Sequence, residues 1–205
     1  MIEILGSYII NLISSTGYAG VFLLMTLESA LIPIPSEITM PFAGSLVQLG
    51  KFDLWAVVIV GALGNLFGSL LAYALGYWGG ENIVRVVIRK YGKYVLVSEH
   101  EFDKSQKWFS KYGELIVFLS RIMPVLRTFI SLPAGIAKMN LMKFIVYTVV
   151  GSLIWSLLLT YVGVSLGQNW NSLEVYFRKF DLVIVVVLGL TVLAYFYHKF
   201  KKVRA

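Results

Sequence analysis

Four ionisable side chains lie deep in otherwise apolar sequence: Glu28 and Glu37 within residues 20–50 (GVFLLMTLESALIPIPSEITMPFAGSLVQLG), and Arg121 and Arg127 within residues 113–140 (GELIVFLSRIMPVLRTFISLPAGIAKMN). On an insertion scale each costs ~2.5–3.5 kcal/mol at the centre of a membrane helix, so about 10–14 kcal/mol must be offset if all four are buried. A guanidinium presents a planar fork of donors that fits a phosphate, and a helix broken at the same depth adds free backbone N–H groups. Arg121 and Arg127 are therefore candidate ligands for an anionic phosphate headgroup. A carboxylate withdrawn from water takes up a proton more readily, which makes Glu28 and Glu37 candidate proton carriers. Moving one charge through the membrane potential supplies ~2.3 kcal/mol per 100 mV, enough to drive such a cycle. Proton-coupled movement of an anionic lipid follows. The plainer alternative is a salt-bridge cluster that only staples the segments together.

The composition sets the solvent. Of 205 residues, 58% are hydrophobic and 14% charged, against roughly 45–50% and 25% in soluble domains. Mean hydropathy is +0.78, which points to a membrane protein. There is no cysteine, so disulfides, zinc–thiolate sites and thiol catalysis are excluded. The net charge of +7 is not concentrated in a separate soluble domain but lies between apolar runs. It reads as membrane orientation and contact with anionic lipid, not as nucleic-acid binding.

Residues 55–78 and 144–167 carry no charge and are long enough to cross; residues 182–198 form a shorter last span. Gly61, Gly64, Gly68, Ser69 and Gly151 stud the first two, as expected where membrane helices approach closely. Between them, residues 80–112 hold seven Lys and Arg residues and place an amphipathic linker in the cytoplasm. The basic tail at 199–205 is cytoplasmic by the same rule. Residues 1–16 form an apolar N-terminal helix without the basic start of a signal peptide. Whether residues 4–27 cross is open; an interfacial helix on the outer surface, interrupted at Ser14–Gly17 and followed by half of a hairpin, is the favoured reading.

The stretches that hold the four charges are expected to be broken helices. Pro33, Pro35 and Pro41 interrupt the first, and Pro124 and Pro133 the second. Arms of about 8–12 residues cannot cross, so each stretch reads as a re-entrant hairpin buried in protein. Ser36, Gly44 and Gly135 help shape the tips and crossings. The stretches also match: Gly20 precedes Glu28, and Gly113 precedes Arg121, by eight residues; Pro41-Phe-Ala-Gly44 parallels Pro133-Ala-Gly135. A hairpin-plus-span unit thus occurs twice, at 17–79 and 113–167. With the linker inside, the two units have opposite orientation, the inverted repeat that places a transporter's site near the midplane. The expected fold is an all-α polytopic membrane protein: two re-entrant hairpins, each followed by a transmembrane helix, plus a last span and cytoplasmic amphipathic helices. Facing hairpins would bring the two carboxylates and two guanidiniums together as ion pairs around a polar cavity.

ESALIPIPSEITMPFAG at 28–44 and FLSRIMPVLRTFISLPAGIAKM at 118–139 resemble the two signatures of the DedA family, bacterial membrane proteins with the SNARE-associated or VTT domain. The resemblance runs from about residue 17 to 167. It includes the glycine-rich span ending at Tyr73, Gly76 and Gly79, and Lys111-Tyr-Gly113 before the second hairpin. Ser120 stands where many members have glycine, and Asn65 is uncharged where some have acidic residues near Gly64. The resemblance implies a lipid translocase of the bacterial cytoplasmic membrane driven by the proton-motive force, with undecaprenyl phosphate or phospholipids such as phosphatidylethanolamine as cargo. It makes Glu28 and Glu37 proton-linked and Arg121 and Arg127 headgroup-binding. Two buried arginines favour the phosphomonoester, carried from the outer to the inner leaflet. No cofactor or metal is implied, and homo-oligomers remain open.

Other classes fit less well. An intramembrane lipid phosphatase needs a nucleophile or general acid, yet His100 falls in the linker and His198 at a span end, and no H-E-x-x-H or G-x-S-x-G occurs. A non-transporting scaffold would leave the four charges permanently paired. Lys51, Asp53, Lys138 and Lys143 read as turn residues, with Asp53 capping the next helix. Trp155 and Tyr161 read as packing residues.

Overall fold

The computed structural model describes residues 2–32, 34–86, 99–121, 123 and 126–167. Pro33, Pro124, the middle of the linker at 87–98, the expected last span at 182–198 and the tail at 199–205 lie outside the described residues. The described residues form helices and no strand: α1 (Ile2–Thr16), α2 (Tyr18–Ser29), α3 (Ser36–Gln48), α4 (Leu54–Val86), α5 (Glu99–Ser120), α6 (Leu126–Phe129), α7 (Ser131–Ile136) and α8 (Leu141–Leu166).

Two of these, α4 and α8, are long and apolar enough to cross a membrane. Their faces are patterned inside out. On α4, Ile59, Leu63, Phe67, Leu71 and Leu75 are exposed at a four-residue spacing, while Gly61, Gly64, Asn65, Gly68 and Ser69 are buried. On α8, Thr148, Ser152, Ser156 and Thr160 are buried, again four apart, and Val146, Val150 and Ile154 face outward. In water this arrangement would expose the apolar face and bury the polar one; in lipid the apolar face meets its own kind of solvent and the small polar face turns to neighbouring helices.

Local chemistry sets the helix ends. Asp53 accepts the Ala56 N–H at 2.9 Å and Asn140 the Lys143 N–H at 3.1 Å, capping α4 and α8 in the same way. The ends of α2, α3 and α7 close alike. At each, the N–H two residues beyond the cap returns to the third-last carbonyl: Ile32 to Leu27, Lys51 to Leu46 and Met139 to Ala134. This closure needs a left-handed residue, supplied by Gly50 after α3 but by Leu31 and Lys138, at φ 73° and 52°, after the other two. At Leu31, a side chain stands where glycine is the unstrained choice.

Several expected breaks fall elsewhere. Residues Ser14 to Thr16 continue α1, with Ser15 and Thr16 hydroxyls donating back to the Leu12 carbonyl, and Gly17 alone turns the chain. Pro41 does not interrupt the first hairpin but lies inside α3, where its missing N–H leaves the Glu37 carbonyl without a helical donor. Pro133 likewise lies inside α7; the ring excludes the Phe129 carbonyl, and α6 and α7 meet at Ile130, just after it. The first long helix does not stop at Gly79 but passes through a π-helical turn at Gly76–Gly80 and on to Val86. Glu99–Ser120 is one helix across the expected boundary at 112/113, so the first arm of the second hairpin is the end of a 22-residue helix, not a short separate arm.

The helices cross-pack. Helix α2 runs alongside α4, and the end of α5 alongside α8, each pair in the same direction. Tyr18 meets Asp53 and Ser29 meets Asn65, and Glu114 meets Lys143 while Arg121 meets Gly151. The long helices are antiparallel, with Gly61 beside Ser156 and Tyr73 beside Phe144. The arms after the breaks change sides. In α3, Gly44 lies on the Thr160 carbonyl of α8, and Gly163 of α8 on the Pro41 backbone. In α7, Gly135 lies on the Tyr73 carbonyl of α4, and Gly76 of α4 on the Leu132 carbonyl. A methyl group at Gly44 collides with backbone, and backbone cannot step aside. Gly44→Ala is therefore expected to cost about 1–3 kcal/mol in thermal unfolding of detergent-solubilised protein. Gly6→Ala, with open space around the new methyl, is the matched control that leaves the midpoint unchanged or higher.

Candidate functional site

The breaks after α2 and α5 meet α4, α6 and α8 in a buried polar centre. Glu28, Arg121 and Arg127 are 4%, 3% and 5% exposed. Glu28 occupies the last turn of α2. Its Oε1 accepts the Ser36 N–H at 3.2 Å, at the start of α3, where Pro35 is the cap residue and has no side-chain donor or acceptor to offer. A carboxylate from the preceding helix thus does the work of a cap, at the positive end of the α3 dipole. Arg127 of α6 donates from Nη2 to the same Glu28 oxygen and to the Ser36 hydroxyl. Three segments are tied at one carboxylate oxygen.

Arg121 is held differently. Its Nη1 donates to Ser69 Oγ of α4 at 3.0 Å and to the Arg127 carbonyl at 3.2 Å, and its Nη2 to Ser131 Oγ of α7 at 3.1 Å. The Phe144 ring lies 5.3 Å from its guanidinium carbon. Gly151 leaves room for the arginine stem, since a side chain there would occupy the space of Arg121 Cβ. No carboxylate reaches Arg121 among the described residues. Glu37, in the first turn of α3, is half-buried and makes no ion pair or hydrogen bond among them, though it lies within electrostatic reach of Glu28. The expected two ion pairs are therefore one. The buried centre carries two guanidiniums against one carboxylate.

Four members escaped sequence reasoning. Ser69 and Ser131 bind Arg121, Asn65 accepts a 2.6 Å bond from Ser29, and the Trp155 ring lies 5.1 Å from the Arg127 guanidinium carbon. Trp155 thus packs against the charged centre itself. A signal existed for two of them: Asn65 and Ser69 are four apart on the glycine face of α4. Of the hairpin-shaping residues, Pro35, Ser36, Pro41, Gly44, Pro133 and Gly135 are placed as described above, and Pro33 and Pro124 lie outside the described residues. Away from the centre, Lys143 pairs with Glu114 at 2.5 Å in a half-exposed contact that joins α5 to the first turn of α8.

An apolar exterior around buried guanidiniums, hydroxyls and one carboxylate, gathered where helices break against the long helix α4, defines a membrane protein with a charged centre inside its helical bundle. The chain belongs to the VTT-domain family, whose domain matches residues 34–165, and so to the DedA-type membrane proteins. It is 36% identical over 190 residues to undecaprenyl phosphate transporter A of Bacillus subtilis (strain 168), covering 93% of this chain and 92% of that protein. With the Staphylococcus aureus protein of the same name it shares 30% identity over 185 residues, 90% and 91% of the two chains. It is also 33% identical over 183 residues to an alkaline phosphatase-like protein of Lactococcus lactis subsp. lactis, covering 89% and 86%. No solved structure matches.

The Glu28–Arg127 contact can be tested as a unit. Glu28→Ala leaves a buried guanidinium without its counter-charge, and an expected loss of about 3–5 kcal/mol should appear in chemical denaturation. Adding Arg127→Met to that variant should restore part of the loss, so the double-mutant cycle departs from additivity.

Proposed function

We propose that this protein is a proton-coupled lipid transporter that carries undecaprenyl phosphate from the outer to the inner leaflet of the bacterial cytoplasmic membrane. The observation that carries this reading is the charge count at the buried centre: Arg121 and Arg127 against Glu28 alone. A buried excess of positive charge is costly by itself, and an anionic headgroup offsets it. The names of the two transporter relatives supply the cargo.

Glu28 and an incoming phosphate compete for the same guanidinium. A proton on Glu28 cancels its charge and frees Arg127 for the headgroup; loss of the proton restores the ion pair and expels the anion. Glu37, half-buried beside Glu28, passes the proton to and from water. Coupling also meets an electrical need. An anion moving towards a negative interior works against ~2.3 kcal/mol per charge per 100 mV, and a proton moving with it removes that cost.

The units at 17–79 and 113–167 act as an inverted repeat of re-entrant hairpins. Antiparallel α4 and α8, their matched caps and the exchange of α3 and α7 support this arrangement. The linker and the C-terminus face the cytoplasm, the N-terminal helix lies on the outer surface, and residues 182–198 form the last span. A zwitterionic cargo such as phosphatidylethanolamine is the second reading, favoured by Glu37, a carboxylate an ammonium group could meet.

Flipping measured in proteoliposomes with and without a pH gradient decides. The parent should move undecaprenyl phosphate faster with the gradient. Arg127→Ala should lose at least about tenfold, the worth of a charged hydrogen bond, and Glu37→Gln should lose the response to the gradient. Undiminished flipping in both variants removes the site assignment, and no flipping by the parent leaves a scaffold. Faster movement of phosphatidylethanolamine than of undecaprenyl phosphate favours the second reading.

A further inference from the structure

The Arg127 guanidinium does not spend all its donors on Glu28 and Ser36. Its Nε is buried and has no partner among the described residues, and the same holds for Nε1 of Trp155, whose ring lies against that guanidinium. Trp155 is 8% exposed, so water does not serve its N–H from the surface. Glu28 Oε2 is unpartnered as well, so neither N–H reaches it. Packing alone does not call for an indole here. A phenylalanine would fill much of the space and keep the face-on contact with Arg127 without stranding a donor in a low-dielectric interior. Trp155 also lies one turn from Gly151, the residue that admits Arg121, and so belongs to the wall shared by both arginines.

We propose that Trp155 is a third headgroup-binding residue, its indole N–H donating, beside Arg127 Nε, to an oxygen of an anionic phosphate monoester. This rests on the transport reading above and names a residue that neither the motifs nor the ion pair indicate. The indole then has two roles. Its face holds the guanidinium plane in place, and its edge counts the terminal oxygens of the ligand.

Trp155→Phe separates them, because it keeps an aromatic face, though a smaller one, and removes the N–H. Farnesyl phosphate, farnesol and inorganic phosphate are titrated into purified full-length protein in detergent, with calorimetry as the readout. The parent should bind farnesyl phosphate; inorganic phosphate binding with equal affinity would identify the free ion as the ligand, and farnesol reports the tail alone. Trp155→Phe should weaken farnesyl phosphate roughly tenfold or more and leave farnesol unchanged. Equal affinity in parent and variant overturns the proposal while leaving the transport reading intact; no phosphate binding by the parent overturns both. Should Trp155→Phe not fold, a protein keeping Trp155 as its single tryptophan gives the answer by NMR. Its indole N–H resonance should move downfield with farnesyl phosphate and not with farnesol, and a resonance that stays in place overturns the proposal.

Discussion

One carboxylate oxygen organises this molecule. Glu28 Oε1 holds the start of α3 through the Ser36 N–H and anchors Arg127 from the other half of the chain. Burial makes both contacts strong and makes their loss costly. The tip of the first hairpin, the register of α6 and the position of Arg121, which leans on the Arg127 carbonyl, all descend from that point. The atoms that hold the fold are also those on which the proposed transport cycle depends. In that proposal, neutralising Glu28 weakens its hold on the Arg127 guanidinium, and the same contact serves both stability and rearrangement.

The bilayer explains why such a centre can exist. With Leu, Ile and Phe turned outward on α4 and α8, apolar surface meets lipid outside much as it meets the Ile9, Ile13, Val21, Met25, Met40 and Leu159 cluster inside, so burial of apolar area does little to drive assembly. Close backbone approach at glycines and hydrogen bonds such as Ser29 to Asn65 and Arg121 to Ser69 and Ser131 take that place. Polar residues are therefore available in the interior, where a soluble fold would have used them on its surface.

Much of this was readable in advance, and for physical reasons. Charges in apolar sequence are costly, so Glu28, Arg121 and Arg127 stood out before any geometry was known, and all three are buried together. The two long helices declared themselves by length and hydropathy. Which acid meets which base did not, because pairing depends on how the hairpins face each other across 99 residues of chain. Glu37 looked equivalent to Glu28 yet is half-buried in the first turn of α3 and forms no ion pair among the described residues. Pro41 misled for a related reason: it forbids a hydrogen bond, but the cost of losing one can be met by packing and leaves α3 running. Trp155 carried no charge to mark it, and an aromatic in an apolar run is ordinary.

The exchange of arms between the two halves has a mechanical meaning. Glycine contacts of backbone on backbone leave no slack, so α3 moves with α8 and α7 moves with α4. The rigid pieces are hybrids, each assembled from both halves of the chain. Among the passages of the chain from one hybrid to the other are Ser29 to Ser36 and Ser120 to Ser131. Glu28, Ser36, Arg121 and Arg127 sit in or beside these two, so the buried polar centre bridges the hybrids. Any movement of one hybrid against the other therefore changes the contacts of that centre directly, with no lever interposed.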